Sequence, residues 1–308
     1  MPRVLSFILV VVCLSCVAQQ PAATLRSTGI NTQTFDPAHQ RPLRYHDDQI
    51  TATLIVGKDH DSLAIESAGA NVGRVDLPVE MAQVDEIRRA VSGKLVVRGM
   101  VNGAGSEIAV VDVASAKLLD RFVCYLPSIS PDGRYIAFIK FYPAHFTEGA
   151  DDHYMLYDLA RSAEGNRPAG VPAEDWDTVG FCLYPIGVGN QSADNLRRPE
   201  GTRHMSRSGF FWSAHGQVAF ADQVEGEPDV RVLLVTVEDG VAGRIRAIDQ
   251  PATALCPEKG TAGLTCTPLV EMIEFRQEPE PNVAVTFGSG SDSKKSVTYD
   301  IAKFGTVR

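Results

Sequence analysis

Past its first 18 residues the chain has no apolar run long enough to span a bilayer, and no segment repeats like a long amphipathic helix. The motifs that announce catalysis are missing too. There is no nucleophile elbow, no dinucleotide fingerprint, no HExxH and no sialidase-type aspartate box. Gly288-Ser289-Gly290-Ser291 lacks the Lys-Ser/Thr of a phosphate loop and reads as a hairpin loop. No cofactor and no catalytic residue is implied. Basic residues are the scarcer charge, 29 against 38 acidic, for a formal net charge of −9. The basic footprint that nucleic-acid phosphates require is therefore absent.

Cysteine is sparse as well, at six residues, and the four beyond the first 18 residues make no CxxC pair, so a zinc site is not expected. Cys13 and Cys16 fall within a leader: Met1-Pro2-Arg3 is a short basic region and Val4 to Leu14 an apolar one, as in a signal peptide of residues 1–18. Two processing routes stand side by side. Cleavage after Ala18 gives a soluble exported protein. Leu14-Ser15-Cys16 read as a lipobox gives a lipid anchor at Cys16. Either way the expected place is outside the cytoplasm, in the periplasm or anchored to the envelope. In that oxidising setting the other four cysteines are expected to pair. Cys256 and Cys266 flank a glycine-containing loop and are the favoured pair, which leaves Cys124 with Cys182. Residues 19–44 carry Pro21, Pro37 and Pro42 without apolar period, as a flexible linker does, and residues 45–308 form the folded domain.

What is present is a hairpin, and it recurs. Tyr125 to Phe141 reads YLPSISPDGRYIAFIKF. Ser130-Pro131-Asp132-Gly133 has the residues of a type I turn with a glycine bulge, and the strand after it is apolar on both faces. Phe210 to Phe220, FFWSAHGQVAF, and Ala90 to Val97, AVSGKLVV, are weaker copies. Each is followed by another apolar strand, and Asn282–Gly288 with Ser296–Ile301 makes a last pair. Repetition at tens of residues indicates an array or a propeller. Within it, Asp132 is a turn residue, Trp212 a core residue and His215 a solvated one.

SPDGRYIAF followed by YMLYDL (Tyr154 to Leu159) resembles the repeat of TolB-type, WD-repeat-like β-propellers. The resemblance implies an all-β fold, a β-propeller of four-stranded antiparallel blades, without the separate N-terminal domain of the TolB type. Blades are expected at Val84–Val123, Tyr125–Ile186, Phe210–Ile248 and Leu269–Ile301, with the first strands at Gln49–Val56 and Asp61–Ser67. The count is five if the interval from Ser130 to Ser213 is one blade with two insertions and six if it is two blades, one of them degenerate; five is adopted.

The irregular sequence concentrates in Tyr142–Asp152, Gly187–Arg207 and Ile248–Pro268, which the repeat places on one face of the ring. His145, Glu148 and Asp151 in the first of these, with Arg203 and His204 in the second, are the expected binding residues, facing an envelope protein or a small ligand. Alanine at Arg203 and His204 is expected to weaken binding and to leave thermal stability nearly unchanged. The leading expectation is an exported binding scaffold of the bacterial envelope. The alternative is a propeller enzyme, a metal- or acid/base-dependent hydrolase or lyase with its site at the channel mouth, to which inner-strand Glu86 and Glu271 would contribute.

Overall fold

The computed structural model describes residues 43–81, 83–101, 105–140, 153–167, 179–184, 203–238, 241–251, 269–276, 281–288 and 294–306. The expected leader, Cys16, most of the expected linker, His145, Glu148, Asp151, Cys256 and Cys266 lie outside these residues. Among the described residues the only helical pieces are single 3-10 turns at Glu164–Asn166 and Ile301–Lys303. Everything else regular is antiparallel strand.

The SPDG turn forms as its chemistry dictates. Ser130 Oγ donates to Asp132 Oδ1 (2.6 Å) and accepts from the Tyr135 amide (2.8 Å), and Gly133 N–H closes on Ser130 O (2.9 Å). Gly133 has φ +71°, and a Cβ there would stand 3.1 Å from the Ala90 and Arg89 backbone. Gly133→Ala combines a left-handed backbone with that contact, so it is expected to cost about 1–3 kcal/mol. Urea denaturation checks this, and an unchanged midpoint would contradict it. The copy at Ser213 repeats the device: its Oγ accepts from the His215 and Gln217 amides, and Gly216 has φ +74°.

The strands follow one another as meanders. The first is β1 (Arg44–His46), β2 (Ile50–Ile55), β3 (Ser62–Ser67) and β4 (Ala70–Asp76). The second is β5 (Gln83–Arg89), β6 (Lys94–Met100), β7 (Ser106–Asp112) and β8 (Lys117–Ile129). Then come β9 (Tyr135–Lys140), β10 (Tyr154–Asp158) and β11 (Phe181–Tyr184). Separate blades at Val84–Val123 and Tyr125–Ile186 were the expectation, and here the structure differs. β8 pairs with β7 up to Cys124 and with β9 from Cys124 onward, so β5 to β11 form one seven-stranded sheet. The register shifts between Tyr125 and Ser128, with Leu126 at φ +48°. Pro127, lacking an N–H, cannot hold a ladder there, and the chain bends from one partner to the next without leaving the sheet.

A third sheet holds β12 (His204–Ser206), β13 (Phe211–Trp212), β14 (Gln217–Val224), β15 (Asp229–Glu238), β16 (Val241–Pro251) and, at its edge, β20 (Gly305–Thr306). Both short strands β12 and β13 pair with β14. The last sheet is β17 (Leu269–Arg276), β18 (Asn282–Gly288) and β19 (Lys294–Asp300). Among the described residues no sheet combines strands from the two ends of the chain.

Four apolar clusters join these groups in chain order. Ala52, Leu63, Ile65, Val97 and Val111 lie between the first meander and β5–β7. Val96, Ile108, Phe122, Ile136 and Phe138 join the two halves of the long sheet. Tyr154, Leu156, Phe220 and Leu233 join that sheet to the third, and Val232, Ile273, Val283 and Phe287 join the third to the last. β9 is buried along its whole length, as two apolar faces require.

Candidate functional site

The strand pairing puts the end of β9, the start of β10, the end of β11 and the start of β12 at one end of the sheets. Here the apolar alternation of two strands breaks. On β14, Val218 and Phe220 belong to the core face, and the next position on that face is Asp222, which is wholly buried. Its carboxylate has a donor for each oxygen: Tyr154 OH to Oδ1 (2.8 Å) and His204 Nδ1 to Oδ2 (2.6 Å). Tyr154 reaches it because its ring stacks on Phe220, centroids 4.4 Å apart, at the mouth of the same core. The Tyr184 ring meets His204 edge-on at 5.2 Å. Burial raises the Tyr184 phenol above its ordinary range, and its hydroxyl accepts a hydrogen bond from Arg231, which is also paired with Asp249 (2.6 Å). Beside this group His153 is buried with its imidazole pushed down to about 4, first by burial and then by the electrostatic influence of the neighbouring Lys140 and His204.

Of the expected binding residues, Arg203 and His204 are separated by the fold although adjacent in sequence. Arg203 is partly exposed, 3.5 Å from Glu225, while His204 is buried against Asp222. Alanine at His204 therefore cannot leave stability unchanged, because it strips a donor from a buried carboxylate, at a cost of about 1–3 kcal/mol. Arg203, partly exposed, is the surface probe of the two. The sequence reading missed Asp222, Tyr154 and Tyr184; a carboxylate continuing the Val218, Phe220 alternation was the signal.

The Cys124–Cys182 pairing does not form. β9 and β10 lie between β8 and β11, which sets the two cysteines three strand spacings apart, roughly 14 Å. A disulfide needs Cα atoms within about 7 Å. Cys124 is a buried free thiol, and burial holds both thiols well above their usual range, that of Cys182 at about 12. Among the described residues no three His, Cys, Asp or Glu side chains gather as a metal site would need, and no helix is long and apolar enough to cross a membrane. Glu86 of β5 pairs with Arg98 (3.2 Å), and Glu271 of β17 with Lys294 (2.6 Å).

A second buried polar group lies at the opposite end. Arg167 grips Asp120 with two hydrogen bonds (2.6 and 2.9 Å), and Tyr157 OH donates to the same carboxylate (2.9 Å). Asn166, wholly buried, bonds the backbone of Asp158 in both directions. These groups lock the start of the polar insertion after β10 onto the sheet, which marks them as structural.

No protein-family model matches the chain, and no curated protein is similar to it in sequence. Solved structures with some likeness include prolyl endopeptidase, at 16% identity over 86% of this chain and 34% of that one, TM-score 0.41. The tricorn protease follows at 12% identity over 87% and 31%, TM-score 0.34. The β-propeller domain of the Trilobed protease from Pyrococcus furiosus has 11% identity over 90% and 83%, TM-score 0.29. The chain spans about a third of the length of the first two.

Proposed function

We propose that the chain is an exported β-propeller acting as a binding scaffold of the bacterial cell envelope. It would take a protein or small ligand at the end of the sheets carrying Arg203, Tyr184 and Arg231. Five consecutive antiparallel groups support the propeller, each packed on the next, with β8 serving as the last strand of the second group and the first of the third. The basic and apolar leader supports export.

One observation carries the choice of end. The Tyr154–Asp222–His204 cluster and the Arg203–Glu225 and Arg231–Asp249 pairs all gather where the long connections leave the sheets, whereas glycine turns at Gly93, Gly133 and Gly216 close the other end. Long loops on a rigid frame are where binding usually resides. The enzyme reading is favoured by a single feature, the buried Asp222 on Nδ1 of His204. That contact holds the imidazole by Nδ1, as a carboxylate orients a histidine used in acid–base chemistry.

The test uses the mature protein immobilised against solubilised envelope extract. Arg203→Ala and Arg231→Ala are expected to reduce the retained partner, and His215→Ala in the glycine turn to leave it unchanged. Exposed ion pairs are worth about 0–1 kcal/mol, so the fold tolerates these changes. Binding lost with His215→Ala and kept with the other two would place the site at the wrong end.

A further inference from the structure

Large aliphatic side chains on the surface are unevenly placed. Ile55 and Val56 close β2, Val79 lies in the link from β4 to β5, Met100 ends β6, Leu126 sits at the bend of β8 and Leu269 opens β17. All six are at the long-connection end, Met272 follows three residues into β17, and among the described residues only Leu118 and Leu119 lie toward the glycine turns. Exposed apolar side chains gathered at one place mark contact surfaces.

Four of them come from neighbouring segments. The Leu77 amide bonds Asp61 O (2.9 Å), which lays the β4–β5 link along the β2–β3 connection. Met81 of the same link fills the space over Gly99, where a Cβ would collide with it, and Gly99 precedes Met100. Ile55, Val56 (76% exposed), Val79 (70% exposed) and Met100 thus share the junction of the first two meanders. Acid surrounds them: Asp59, Asp61, Asp76 and Glu80, of which Asp76 and Glu80 are mostly exposed. Lys58, His60 beside Asp76 and Arg121 beside Glu80 are the opposing basic groups.

We infer that this junction is a docking surface for a partner segment that presents aliphatic side chains flanked by lysine or arginine. The apolar centre supplies the area removed from water, and the acidic rim, on a chain of net charge −9, selects for basic neighbours and speeds encounter. The inference rests on the long-connection end being the binding end, and names the chemistry that end accepts.

The probe is a labelled synthetic peptide of leucine pairs between lysines, followed by fluorescence anisotropy, with its glutamate-for-lysine counterpart as control. Binding of the lysine peptide is expected, weakening as sodium chloride is raised. Val56→Asn with Val79→Asn, which leaves the charge unchanged, should weaken it on the order of tenfold. Leu118→Asn with Leu119→Asn should leave it as it was. The inference is overturned if the lysine peptide does not bind, if the glutamate peptide binds as well, or if the Leu118/Leu119 variant loses as much. It is also overturned if the wild type sediments as a dimer that the valine changes dissociate, since the occupant would then be a second copy. Envelope binding lost with Arg203→Ala but kept with the valine variant sinks the apolar surface alone; binding that survives both sinks the choice of end too.

Discussion

Arg167→Ala lowers the stability of this protein by about 3–5 kcal/mol, the range for removing one partner of a buried ion pair. The reason is the carboxylate left behind. Asp120 and Arg167 are almost wholly buried, and the guanidinium meets both carboxylate oxygens; once it is gone, the neutral donors Tyr157 OH and the Arg121 amide stay on the carboxylate, but its charge has lost its counter-ion. A charge in that position cannot be rehydrated without opening the insertion after β10. A melting temperature roughly 10 °C lower is the corresponding thermal shift for a domain of this size. Replacing the whole group by apolar residues of similar volume, as Asp120→Leu with Arg167→Met and Tyr157→Phe, should recover most of the loss, because no uncompensated charge remains. If the single variant melts like the wild type, the pair is not buried as described.

The second large effect is on pH. Glu107 is buried on β7, 3.8 Å from Arg121, whose guanidinium is committed more closely to Glu80 at 2.8 Å. Burial pushes the Glu107 carboxyl up to about 7, from an ordinary value of 4.5; Arg121 offsets this in part and Glu80 adds to it. An acid raised in the folded state binds its proton more tightly there. Its contribution is therefore complete below pH 4.5 and is lost as pH rises to about 7, by roughly 3 kcal/mol. His153 works the other way. Its depressed value near 4, from 6.5, means the folded state resists protonation, so stability is full above pH 6.5 and falls by roughly 3 kcal/mol toward pH 4.

Between pH 4.5 and 6.5 the two slopes oppose each other, so the wild type should be nearly flat there. Each variant exposes the other group. Glu107→Gln should gain stability as pH rises through this window, and His153→Gln should lose it. Asp47, held low by hydrogen bonds from Tyr45, Arg89 and two backbone amides against its burial, acts only below about pH 4 and does not interfere. Denaturation curves at three pH values would decide; equal slopes in all three proteins would refute the account.

The strands were legible because their chemistry is local. Ser130-Pro131-Asp132-Gly133 can hardly do anything but turn, and Tyr135 to Lys140, apolar on both faces, has to be covered on both faces. The strand after the SPDG turn accordingly formed at Tyr135–Lys140, where the alternation placed it, whereas Ala70–Asp76, with little apolar content, became a strand that alternation did not announce. The continuity of β8 was not legible. Whether a strand ends or bends at Leu126-Pro127 depends on which neighbours offer free backbone groups on either side, and those neighbours, β7 and β9, are fixed only when the sheet forms.

The same limit governs the polar groups. His204 looked like a loop residue because its partner Asp222 is distant in sequence, and nothing in the sequence around Arg167 announces Asp120, which is further still. Four cysteines allowed a pairing by count that three strand spacings forbid. Sequence determined the all-β character, the turns and the residues that must be buried, since solvent transfer and backbone preference act residue by residue. Tertiary structure alone decided which charges meet out of water and which thiols stay apart. An ion pair's worth depends on distance and dielectric, and both exist only once separate strands have been brought together.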